Sequence, residues 1–203
     1  MDRTLPVPAS DAGPQREVTG IIERVISNVP PPRTRRASDP LDAADALAHA
    51  AARGAALVSA SLALPPGPIG MLTVLPDLYV IWKIQRQMVA DIFGLYGRTA
   101  ELTRTHMLYC LFRHLASQVL RDVLVRAGER ALFQPLSAVA LSNAAAALGT
   151  RVAKRIAGSG AGRWIPVAGA VAVGAYAYWD TLQVAATARR LLEATRVPAS
   201  PER

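Results

Sequence analysis

The chain has 203 residues, 51% of them apolar and 19% charged, so it is long enough to bury a sizeable core and carries fewer charges than an average domain. Its one cysteine, Cys110, excludes an internal disulfide framework and suits a reducing compartment. The net charge of +8 rests on 21 Arg and 2 Lys, and +7 of it falls on residues 98–163.

Abundant Ala and few β-branched runs lean the chain toward helix. A local cationic surface attracts anionic lipid headgroups, nucleic acid or an acidic partner. The first residues, MDRTLPVPASDAGPQREV, lack the apolar core of a secretion signal, so a cytoplasmic location is expected.

Residues 1–40 are rich in Pro, Ser, Asp and Arg and read as a disordered N-terminal arm. Within it Ile21, Ile22, Val25 and Ile26 make one apolar stripe, expected as a weak helix in a tail because isolated helices this short are marginal. A helix then starts at Pro40, capped by Asp39, and runs to about Leu64. Leu47, Ala50, Ala51, Gly54, Val58 and Leu62 form its expected buried side, with Asp45, His49 and Arg53 opposite. Pro65-Pro66-Gly67-Pro68 ends it.

A long apolar helix follows from Pro76, with Asp77 at the positive end of its dipole. Lys83, Arg86, Gln87 and Asp91 form a narrow polar stripe on it, and Gly97 stops it. A third helix is expected from Thr103 to Gly128, burying Leu108, Leu111, Phe112, Leu115, Val119 and Val123. A fourth runs from Pro135 to Leu148, with Gly149 offering a break before Arg151, Lys154 and Arg155. After the turn Gly158–Gly162, the last helix spans about Pro166 to Ala194. No convincing strand is present.

Spanning a bilayer takes about 20 mainly apolar residues. The stretch Gly54–Pro76 is broken by prolines, and Ala131–Thr150 contains Gln134, Pro135 and Asn143. The stretch Trp164–Trp179 is 16 residues without a charge, closed by a tryptophan at each end, before Asp180. The balance favours a helical fold seated on a membrane surface over one that crosses it or an ordinary soluble bundle.

Two stretches carry a family resemblance. LPPGPIGMLTVLPDLYVIWKIQRQMVADIFGLYG is a Pro/Gly loop feeding a long apolar helix with a polar stripe that ends in Tyr-Gly. RWIPVAGAVAVGAYAYWDTLQVAATA has a small-residue core and an aromatic-polar step into a final helix. In this order, over about 41–195, the chain resembles the EcsC family of bacterial proteins. The resemblance implies an α-helical, membrane-associated protein, and the family is named for an operon that also encodes an ABC transporter. It implies no catalytic residues.

The candidate chemistry is thin. His106, Cys110 and His114 share one helix face, but His106 and His114 start about 12 Å apart, too far for all three to serve one ion without bending the helix. Cys110 as a nucleophile has a base within reach and no orienting third group. The loop Gly158–Gly162 lacks the Lys-Ser/Thr ending of a phosphate loop and follows a helix. A solvated or packed polar face, an inert thiol and a plain turn are the simpler readings. Tyr176, Asp180, Gln183 and Thr187 lie on one side of the last helix, and Asp180 is expected to meet Lys83 or Arg86. That contact would act as a zipper fixing helix register. Arg151, Lys154, Arg155 and Arg163, flanking the apolar helix, are expected at anionic headgroups, with Trp164 and Trp179 as interfacial anchors.

The expectation is therefore an all-α compact bundle of five to six long, Ala/Gly-rich helices over 41–197, seated on a membrane. A disordered arm (1–40) precedes it and a tail (198–203) follows. The expected function is non-enzymatic and membrane-associated, on the cytoplasmic face of the inner membrane or in the cytoplasm. Membrane lipids or a membrane-protein complex are the expected partners, with an ABC transporter implied by the resemblance. No cofactor or metal is expected, and nucleic acid is disfavoured by the 5% aromatic content and the lack of a binding motif. The alternative is a soluble helical module recruiting partners through the arm and the basic face.

Overall fold

The computed structural model describes residues 12–63, 74–114, 137–158 and 166–194, and among these the chain is all-α. The helices are α1 (Ala12–Ser27), α2 (Pro40–Leu62), α3 (Val74–Leu95), α4 (Arg104–Phe112), α5 (Ala138–Gly158) and α6 (Pro166–Ala194), with a single 3-10 turn at Thr99–Glu101. Among the described residues no helix is long and apolar enough to cross a membrane. The Pro/Gly loop after α2, the far half of the expected third helix, the turn at Ser159–Gly162, and Arg163 and Trp164 lie outside the described residues.

The arm is not a disordered tail where it is described. Val18, Ile22, Val25 and Ile26 recur at helical spacing, and all four are buried in the core. A helix this short is marginal alone, so its stability comes from that tertiary burial. On its other side α1 packs along α5. The side-chain amide of Gln15 donates to Thr150 Oγ1 (2.7 Å), and Ser142 Oγ donates to Glu23 Oε1 (3.0 Å). The link from α1 to α2 is pinned along α3. The Arg33 amide donates to Asp91 Oδ1 (2.6 Å) and the Ala37 amide to the Leu95 carbonyl (3.0 Å). A Cβ on Gly94 would fall 2.6 Å from Thr34 Oγ1, so glycine there is what lets the link lie flat.

α2 starts as expected. Asp39 Oδ1 accepts from the amides of Leu41 (3.1 Å) and Asp42 (3.2 Å), and Pro40 occupies the first turn, where it needs no donor. Its buried row is rotated from the expected one. Ala44, Ala48, Ala52, Ala55 and Ser59 face inward, while Ala50 is exposed and Leu47, Ala51 and Val58 are half-buried. The cause is α6, which packs against α2 more extensively than any other described pair of elements does. A Cβ on Gly174 would sit 3.0 Å from the Ala56 carbonyl oxygen and 3.2 Å from Ala60 Cβ, so only small side chains fit this seam.

α3 supplies more buried apolar residues than any other described helix. Trp82, Met88, Ile92 and Phe93 are fully buried, and Trp82 meets Phe112 of α4 edge-on at 5.0 Å. The helix ends in a left-handed glycine cap at Gly97 (φ +69°), with the Arg98 amide bonded to the Phe93 carbonyl and the Gly97 amide to the Gly94 carbonyl. α4 starts at Thr103, whose hydroxyl accepts from the His106 amide at 3.2 Å.

Gly149 does not break α5, which runs unbroken from Ala138 to Gly158. An ideal Cβ there would fall 2.1 Å from Thr19 Oγ1, so its smallness serves the contact with α1.

Candidate functional site

α6 changes character along its length. Ala170, Gly174 and Ala177 are buried in the first half, yet Val171, Ala172, Ala175, Tyr176 and Trp179 form an exposed row on the other side. Val171 is 66% exposed, Trp179 51% and Tyr176 43%. This is a contiguous apolar and aromatic stripe, and such patches mark contact surfaces more often than lone exposed apolar residues do. Tyr176 and Trp179 are stacked at a tilt, with ring centroids 6.0 Å apart.

The stripe ends at a buried carboxylate. Asp180 is 5% exposed and accepts from Gln85 Nε2 of α3 at 2.7 Å. Its other oxygen lies 2.5 Å from Nε2 of His114, in the turn after α4. Gln85 Nε2 also reaches Thr181 Oγ1 (3.2 Å), and the Thr181 hydroxyl donates to the Ala177 carbonyl (2.8 Å). Trp179 covers the His114 ring edge-on at 6.3 Å. Two polar atoms of this network, Gln85 Oε1 and His114 Nδ1, are buried without a hydrogen-bond partner among the described residues. The network ties α3, α4 and α6 at one level and lies directly beneath the exposed aromatic pair.

The expected zipper is therefore corrected in its partners. Lys83 is exposed, and Arg86 reaches the Asn28 carbonyl (3.4 Å) rather than Asp180. Gln87 donates to the Pro31 carbonyl (3.1 Å) and to Asp91 Oδ1 (3.0 Å). The α3 stripe thus holds the α1–α2 link instead of α6. On α6, Tyr176 is exposed, Gln183 half-buried, and Thr187 donates to the Gln183 carbonyl within its own helix (2.9 Å). Gln85, His114 and Thr181 complete the site in place of the expected cations. Gln85 carried a legible signal: it is the lone polar residue on a row with Ile81, Met88 and Val89, and such a group needs a partner.

Arg151 and Lys154 are exposed on α5, and the Arg155 side chain lies outside the described residues. α5, which carries Arg151 and Lys154, packs principally on α1. His106 serves the start of α4, its Nδ1 lying 2.7 Å from the Glu101 carbonyl. Burial pushes the Cys110 thiol up to about 12, far from the thiolate that nucleophilic or metal chemistry requires. No group of three or more His, Cys, Asp or Glu side chains among the described residues is placed to hold a metal ion.

No family model, no curated protein and no solved structure matches the chain.

Proposed function

We propose that this is a non-enzymatic, membrane-associated helical module that lies on a lipid surface through α6. The observation that carries the reading is the exposed row Val171, Ala172, Ala175, Tyr176 and Trp179. A helix with one packed face and one apolar aromatic face gains by laying the second into the boundary between headgroups and acyl chains. Each large side chain fully withdrawn from water contributes about 1.5–3 kcal/mol, and Trp and Tyr favour that boundary. The buried Asp180 network fits the same reading, since it stiffens the base of the stripe. The cytoplasmic leaflet and, by the EcsC resemblance, an ABC transporter within it are the setting and partner that the proposal names. On this reading Arg151 and Lys154 contribute only long-range attraction to anionic lipid.

Vesicle co-sedimentation tests it. The full chain is expected to pellet with neutral phosphatidylcholine vesicles and to resist a high-salt wash, and the double variant Val171→Asp, Ala175→Asp to stay in the supernatant. Wild-type protein remaining in the supernatant with both neutral and phosphatidylglycerol-containing vesicles would reject the proposal and favour the soluble recruiting module.

A further inference from the structure

Away from α6, α1 and the start of α3 line an open cleft of about 560 Å³. That is the size range of small-molecule sites. One wall presents Arg16, Gly20 and Arg24, spaced i, i+4, i+8 on α1, with Ile21 behind them; the other presents Leu75, Pro76 and Tyr79. A Cβ built on Gly20 meets no atom within 4 Å, so the cleft is open at that position and a larger side chain there would project into it. Arg16 and Arg24 are exposed and have no ion-pair or hydrogen-bond partner among the described residues. Glu17 is the acidic residue at the rim, so the lining carries a net positive charge.

Apolar walls and two uncommitted guanidinium groups set the chemistry. A guanidinium recognises carboxylate or phosphate oxygens in a planar, two-pronged fashion. Along a helix the two arginines are about 12 Å apart, so an anionic head held by either leaves an alkyl chain of moderate length lying on Ile21, Leu75 and Tyr79. We propose that this cleft binds a single-chain anionic amphiphile, its carboxylate or phosphate head on Arg16 or Arg24 and its alkyl chain in the cleft across Gly20. The site is separate from the α6 stripe and does not depend on the surface-docking proposal.

Calorimetric titration of the full chain with octyl phosphate, below its micelle-forming concentration, tests the assignment. Two parallel arms separate the sources of affinity: octyl glucoside has the chain without the charge, and inorganic phosphate the charge without the chain. Saturable binding of octyl phosphate is expected, with both controls at least about tenfold weaker, as the loss of charge-assisted hydrogen bonds or of apolar burial requires. Gly20→Leu projects into the cleft and removes binding, while circular dichroism shows helicity retained because leucine is the better helix former. Arg16→Gln with Arg24→Gln brings octyl phosphate down to the level of octyl glucoside. Val171→Asp with Ala175→Asp leaves the titration unchanged, which distinguishes this cleft from α6. Absence of saturable binding, equal affinity for either control, or undiminished binding by folded Gly20→Leu overturns the proposal.

Discussion

Asp180 shows how one carboxylate can set the level at which three helices meet. A buried charge with a single partner is costly, whereas here it has Gln85 on one oxygen and His114 on the other. Asp180→Ala removes the group that Gln85 and His114 share, leaving Gln85 only Thr181, and is expected to lower unfolding free energy by about 2–4 kcal/mol. Asp180→Asn keeps the shape and one acceptor and is expected to cost less. Urea denaturation followed by circular dichroism checks both; equal stability of the Ala variant would mean the carboxylate is solvated. Asp180 is legible in the sequence as a polar group that needs a partner, but the expected cations are not the groups it meets. Lys83 was the wrong partner because a lysine on α3 keeps its ammonium in water, while the neutral Gln85 pays far less to be buried.

Several helix boundaries followed local chemistry, although α3 starts at Val74, ahead of the expected Pro76, and α5 runs past Leu148 to Gly158. Asp39-Pro40, Gly97, Thr103 and Pro166 mark ends in the sequence, and the described helices start or stop beside them. Which face each helix buries was less legible, since that depends on what packs against it. In α2 a row of alanines displaced bulkier Leu47 and Val58 from the centre because α6 approaches too closely for them. Gly149 misled for a related reason: a glycine that looks like a break can be a contact. Gly149→Ala should raise intrinsic helix propensity by about 1 kcal/mol yet lower the melting temperature, because the added methyl meets Thr19. Combining it with Thr19→Ala should recover part of the loss. A thermal denaturation cycle over the four proteins checks this, and an unchanged or higher melting temperature for Gly149→Ala alone would show that the α1–α5 seam is looser than described.

At the scale of the molecule, the all-α architecture was legible from Ala content and helical spacing, and the apolar character of α6 from its uncharged run. The division of α6 into a packed side and a wetted side was not, because both sides are built from the same residue types. The basic run was legible as charge, while the helix it leans on was not. Arg151 and Lys154 are carried on a helix that packs principally on α1, a contact that charge alone does not announce.

That leaning gives the first helix an outsized duty. It is wedged like a keystone, with α5 on one flank and α3 and α4 on the other. Trimming a leading tail of this composition is routine when a protein is prepared for biophysics, and in this protein it would knock out the stone that holds α5 to the rest. A version starting at Asn28 is expected to lose more ellipticity than the 16 residues of α1 account for, as α5 frays with it; adding residues 1–27 back as a separate peptide should restore the signal.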